Sequence, residues 1–418
     1  MPIFIFDKNI LDKLEPDDKR VTFIYKSVLS LKNKLQNLGL DLAIFYGYPK
    51  DIFENLKDLH KFDQLFCSCD FDSYAISRDK QIESIIPMRR FYDSYLIHPN
   101  DALKKDNTPY KVFTPFYKSL HPLYQSDKIE EYGVSKSIKK FEFDYADFPT
   151  LEDIGFEKQQ LPNFLEKNAD EIIKQFIPKL DNYQKARDYF YIDGTSNLAV
   201  HLRFGLISPK QIFNKIKRYQ NSEFFIRELF WREFYSYILY HYPKSEFENF
   251  NGKQIVWSED KEHFKAWCDG KTGVPIIDAS MRYLNTTGVI HNRLRMIVAS
   301  FLTKNLFLPW QWGEKYFASK LLDYDASSNI GSWQWGASTG ADSVPYFRVF
   351  NPYTQSEKFD KDGIFIKSVL KELKDCEPKL LHKENGVSEN LFIEYPKPIV
   401  DIKISRQNAI EKFKLHST

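Results

Sequence analysis

Residues 281–355 read MRYLNTTGVIHNRLRMIVASFLTKNLFLPWQWGEKYFASKLLDYDASSNIGSWQWGASTGADSVPYFRVFNPYTQ. Helical spacing runs through 290–304 and 313–322 of this stretch. Four tryptophans (Trp310, Trp312, Trp333, Trp335) fall in it, beside a basic pair (Arg293, Arg295), an acid pair (Asp323, Asp325) and uncharged amides. A plain helical core has little use for so many polar groups next to so many indoles. Large flat rings close to a few fixed charges suit a flat, partly charged ring system.

Outward from this stretch the pattern stays helical from about 156 onward, which predicts an all-α C-terminal domain. Toward the N-terminus it changes. Apolar runs at 2–6, 42–46, 64–69 and 91–97 alternate with helical stretches at 19–38, 50–60 and 73–86, the sign of a parallel α/β sheet. Residues 98–155, broken by Pro99, Pro109, Pro115 and Pro122, predict a long surface connector with an ordered patch at YKVFTPF, 110–116. The expected domains are 1–125 (α/β), 126–155 (connector) and 156–418 (helical). There is no GxGxxG and no P-loop.

Composition is that of a globular protein, 43% hydrophobic and 28% charged, and the net charge of +2 requires any anionic partner to be held by a local patch. The four cysteines are too few and scattered for a disulfide framework. No apolar run reaches the length of a membrane span or a signal peptide. The reading is a cytoplasmic protein without a metal.

Several residues could carry chemistry. Thr195 and Ser196 follow a glycine and precede a helix, so they are either ordinary caps or a phosphate site. Glu228, Trp231 and Tyr235 share one helix face, where a carboxylate is costly unless paired or functional. Asn292, Arg295 and Met296 share another. Arg293 points away, so one arginine can face a buried acid and the other solvent or a phosphate. Asp323, Asp325 and Asn329 cluster, but no His or third carboxylate completes a metal set.

Read together, WREFY, KTGVPIIDASMRYL, TGVIHNRLRM, SWQWGASTGAD and YFRVFNP, in this order, resemble the DNA photolyase and cryptochrome family. The resemblance implies an N-terminal α/β domain and a helical domain holding a U-shaped FAD. Tyr183, Thr195, Ser196, Leu198, Arg295, Asp323, Asp325 and Asn329 match its flavin-contacting positions. Trp333, Trp310 and Trp257 match an electron-carrying tryptophan series. Glu228, Trp231, Asn292, Met296 and Trp335 match the pocket for a flipped-out cyclobutane pyrimidine dimer, and Arg187 and Arg293 match positions near the lesion strand. The implied activity is that of a light-driven carbon–carbon lyase working as a monomer on damaged DNA, with a cryptochrome-like photoreceptor as the alternative.

Two departures carry expectations. The family begins with a further strand, central in the sheet, and this chain opens at what looks like the second, so the sheet should be interrupted. The family's antenna chromophore is a folate or a deazaflavin. Ala75, in DFDSYAISR, stands where a folate-binding glutamate would be, which argues against folate.

Overall fold

The computed structural model describes residues 1–59, 62–125, 148–390 and 392–415. These form two compact units interleaved in sequence: residues 1–98, 122–172 and 198–215 make one, and 99–121, 173–197 and 216–418 the other. Most of the expected connector, residues 126–147, lies outside the described residues.

In the first unit the strands are β1 (Ile3–Asp7), β2 (Ala43–Gly47), β3 (Leu65–Ser68) and β4 (Met88–Phe91), with helices α1 (Lys19–Asn37), α2 (Pro49–Leu59) and α3 (Ser73–Glu83) between them. Asp18 and Asp72 cap α1 and α3, accepting from Arg20 N at 2.8 Å and Ala75 N at 2.7 Å. β1 pairs in parallel with β2, Ile3 opposite Ala43, and β3 with β4, Leu65 opposite Met88. The two pairs are separate two-stranded sheets.

Side-chain alternation orders them. Phe4 and Phe6 of β1 and Ile44 of β2 pack with Val21 and Val28 of α1 on one face. Ile3, Ile5, Phe45, Leu65 and Met88 pack on the other face with Phe53 and Leu56 of α2 and Ile82 of α3. Right-handed crossovers then place β2 on one side of β1 and β3, followed by β4, on the other. β1 and β3 are thus neighbours that do not pair, and the sheet is interrupted where the resemblance implied.

The fourth strand sits earlier than the apolar run 91–97 suggests. Beyond Phe91 the chain turns, and Tyr95 and Leu96 are buried without joining a ladder, Tyr95 stacking on Phe71 at 4.9 Å. The expected connector also contains a helix, α4 (Phe113–Gln125). Its prolines hid the helical spacing of Phe113, Phe116, Tyr117 and Leu120, all buried. Pro115 is tolerated in the first turn.

The second unit is helical. The site is carried by α5 (Leu180–Ala186), α6 (Glu223–His241), α7 (Asn292–Ser300), a π-helical turn (Phe301–Asn305), α8 (Trp310–Lys320), α9 (Ala326–Ala337) and α10 (Ile402–Leu415). Trp267, Leu302, Trp310, Phe317 and Trp333 share one buried cluster. Gly313 makes this possible, because a Cβ there would overlap the Trp333 ring.

Candidate flavin and lesion site

Asp325 caps α9, accepting from Ser328 N at 2.8 Å and Ser327 Oγ at 2.7 Å. One turn on, Asn329 Nδ2 donates to Glu314 Oε1 at 3.0 Å and to the Glu314 carbonyl at 3.2 Å. Arg295 on α7 donates from Nη2 to both oxygens of Asp323, at 2.9 and 2.7 Å, and from Nε to the Ile290 carbonyl at 2.9 Å. The second anchor on the Ile290 carbonyl and the low exposure of Asp323 (12%) make this a structured pair rather than a loose surface contact.

Glu314 was not anticipated. Burial raises its pKa above the ordinary carboxyl range, against the bonds it accepts from Asn329 and Tyr324. The signal lay in WQWGEKYF, where a carboxylate follows Trp310 by one helical turn inside an aromatic run.

A second acidic centre lies on α6. Glu228 is paired with Arg187. Burial raises the Glu228 pKa, and the neighbouring guanidinium holds part of that rise back. Arg187 also lies 5.9 Å from the centre of the Tyr183 ring, and burial pushes the Tyr183 phenol well above its usual range. Arg293 bonds Asp188 at 2.7 Å. Both arginines of HNRLRM therefore face acids, where the sequence left one for solvent or phosphate. Each had an acid within reach, Asp188 being more than a hundred residues away in sequence.

Trp231 and Trp335 come from two helices that are in contact. Ser236 Oγ lies 3.0 Å from Ser327 Oγ. Nearer Trp231 and Trp335, the Tyr235 ring occupies the space a Cβ of Gly331 would need. Trp231 on α6 and Trp335 on α9 each lie one helical turn from the Tyr235–Gly331 contact. Trp335 lines a cavity of about 750 Å³ with Arg293, Met296, Arg348, Lys358 and Arg406. Trp231 and Glu228 are not part of its wall. The cavity reaches Asp188, next in the chain to Arg187. Asn292 is exposed, with its amide 4.0 Å from Met296 Sδ.

The remaining tryptophans are in the same unit. Trp310 is buried and donates from Nε1 to Asn249 Oδ1 at 2.8 Å. Trp333 packs on Phe317 at 5.0 Å and on Trp267 at 6.0 Å. Trp257 is partly buried, between Phe307 and Phe413. Thr195 donates to Asn197 Oδ1 at 3.3 Å, with Asn197 in the left-handed region at φ 56°. Ser196 adjoins them. Leu198, buried, belongs to the other compact unit.

Residues 225–415 match the family model for the FAD binding domain of DNA photolyase, and residues 1–132 match that for DNA photolyase. A curated relative, the deoxyribodipyrimidine photo-lyase of Alkalihalophilus pseudofirmus, is 36% identical over 94% of this chain and 87% of its own length. The chain belongs to the DNA photolyase family. Two solved photolyases have similar structures. The class III photolyase of Agrobacterium tumefaciens aligns with a TM-score of 0.85 at 30% identity, over 99% of this chain and 91% of its own. The archaeal photolyase of Sulfolobus tokodaii, solved with two FAD molecules, aligns at 0.82 and 31%, over 99% and 93%.

The donor set fits FAD. Thr195 and Ser196 bring hydroxyls suited to a diphosphate. The Arg295–Asp323 pair is a fixed cation and anion, and Asn329 carries an amide held by Glu314. Among the described residues no group of three or more His, Cys, Asp or Glu side chains could hold a metal ion. No described helix is long and apolar enough to cross a membrane.

Proposed function

We propose that this protein repairs cyclobutane pyrimidine dimers in DNA with light. What supports the reading is the contact of α6 with α9, with Trp231 and Trp335 each one turn from it and the half-buried Glu228 on α6, in a chain with the FAD binding domain of DNA photolyase.

Tyr183, Thr195, Ser196, Leu198, Arg295, Asp323, Asp325 and Asn329 would hold FAD. Bound and reduced, FAD supplies a light-driven electron that opens the cyclobutane ring and is then recovered. The chain's own residues do the rest. A dimer pairs poorly, so extruding it from the duplex costs less than flipping an intact base pair. Trp231 and Trp335 stack on its rings, each contact contributing roughly 1–3 kcal/mol. Met296 and Asn292 close the pocket, and Arg187 and Arg293 hold the lesion strand. Glu228 donates a hydrogen bond to a pyrimidine carbonyl where negative charge develops. It needs a proton for that, and burial favours the protonated form. Arg187 must loosen its hold on Glu228 when the lesion enters. Trp333, Trp310 and Trp257 are oxidisable indoles in the same unit, suited to restoring the reduced state.

Residues 1–125 act as the α/β domain, 126–155 as connector and 156–418 as the FAD- and DNA-binding domain of a cytoplasmic monomer. A second chromophore would be a deazaflavin or a flavin rather than a folate, given Ala75. The test is to illuminate the reduced, FAD-loaded protein with dimer-bearing DNA. Intact pyrimidines should return in light and not in darkness. A photoreceptor without repair activity would bind FAD and leave the dimers unchanged.

A further inference from the structure

The segment Tyr110–Phe116, ordered but unexplained by the flavin site, stacks on one indole of the proposed lesion pocket and bonds the loop that follows the other. Phe113, fully buried at the start of α4, lies face to face with Trp231, ring centres 3.7 Å apart and planes 7° from parallel. Aromatic pairs in cores more often tilt or offset. The other rings against Trp231, Phe234 at 83° and Tyr235 at 35°, meet it tilted or on edge. Among the described residues Phe113 is therefore the ring that fixes the plane of the indole. Phe113 is itself held: the Arg227 guanidinium lies over it at 5.3 Å and over Tyr117 at 5.5 Å, and Tyr117 stacks on it at 5.8 Å and 18°.

The same residue reaches the loop that follows the second tryptophan through its backbone. Phe113 N donates to Asp342 Oδ2 at 3.3 Å. Asp342 sits at φ 48° in the loop that follows α9, and two residues on, Val344 N donates to the Trp335 carbonyl at 3.3 Å. Val344 and Trp335 both line the cavity. One residue thus sets the plane of Trp231 by ring contact and ties down the loop that carries the wall beside Trp335.

We infer that Phe113 is a positioning residue for lesion recognition: it occupies one face of Trp231 permanently, leaves the other for a pyrimidine, and with Asp342 fixes the spacing between the two indoles. The inference rests on the repair reading and deepens it. A base gains its stacking energy only when the platform is already parallel to it, because an indole free to rotate must be ordered at the moment of binding. Selectivity for the dimer over undamaged DNA should therefore depend on an aromatic ring at 113, beyond any need to fill volume there.

The experiment compares FAD-loaded wild type, Phe113→Leu, Phe113→Tyr and Asp342→Ala. Binding to a labelled duplex with one thymine dimer, and to the same duplex undamaged, is followed by fluorescence anisotropy in the dark. FAD content and thermal midpoint are measured alongside. Phe113→Leu should keep its FAD and its affinity for undamaged duplex while losing about tenfold in preference for the dimer. Phe113→Tyr should restore that preference, and Asp342→Ala should lose part of it without touching the ring. Indole fluorescence should be quenched by the lesion less in Phe113→Leu than in wild type. If Phe113→Leu folds and keeps the wild-type preference, or if Phe113→Tyr is as poor as Phe113→Leu, the inference is overturned. Should Phe113→Leu not fold, an undiminished preference in Asp342→Ala overturns it alone. Wild type that binds both duplexes equally contradicts the repair reading instead.

Discussion

Phe66 and Phe91 on β3 and β4 face each other at 6.0 Å and remain 58% and 39% exposed, while Trp310 and Phe317 in the helical unit are 1% exposed each. The contrast extends to the backbone. β1 and β3 each pair on one edge only, whereas α9 has its N-terminus capped by Asp325 and its last carbonyl, that of Ala337, receiving Lys304 Nζ at 3.3 Å. The two regions teach where this sequence specifies positions closely. β3 and β4 need be apolar only on the face that α2 and α3 cover. The helices around Trp333 need particular residues, including glycines, because rings interlock there.

That difference is broken most severely at Gly331. Valine there would collide with the Tyr235 ring, and the helical unit should lose about 3 kcal/mol, read as a lower denaturant midpoint. Next comes Glu228. Glu228→Gln should keep its FAD and lower the repair rate roughly a hundredfold. Its pH profile should change in a definite sense. Burial raises the Glu228 pKa, so wild type holds the required proton to higher pH than a free carboxyl and loses activity as pH rises through that raised value. The glutamine variant should lack this basic limb.

Lys304 gives a smaller effect. It is fully buried, over Phe413 at 3.7 Å with Ser338 Oγ at 2.8 Å, and burial lowers its pKa to about 7. The unfolded chain therefore binds one more proton between about pH 7 and the ordinary lysine range. Stability should rise with pH across that window, by at most about 1.4 kcal/mol per unit. Lys304→Met should flatten the slope in pH-dependent melts. The smallest change is expected on the sheet. Phe66→Ser should alter stability by no more than about 0.5 kcal/mol, and a larger loss would show that this face is covered after all.

Legibility in the sequence followed the same division. Helical spacing and the alternation of short apolar runs were enough for the α/β and all-α layout. The helix at Phe113 was missed because four prolines between 99 and 122 outweighed its spacing. The Arg293–Asp188 and Arg187–Glu228 pairs were not readable, since each joins residues far apart in the chain that only the tertiary fold brings together. Glu314 was legible in principle as a lone acid in an aromatic helix, and its meaning depends on Asn329 lying one contact away.

The central claim is that Trp231 and Trp335, from two helices in contact, grip one extruded lesion between them. The most direct test is the dark affinity of the FAD-loaded protein for a single-dimer duplex in Trp231→Ala, Trp335→Ala and the double variant. Each single change should weaken binding by about tenfold or more, and the double by less than the product of the two, because either indole needs the other to hold the same occupant. Single variants that bind the dimer as tightly as wild type, or losses that simply multiply, would contradict it.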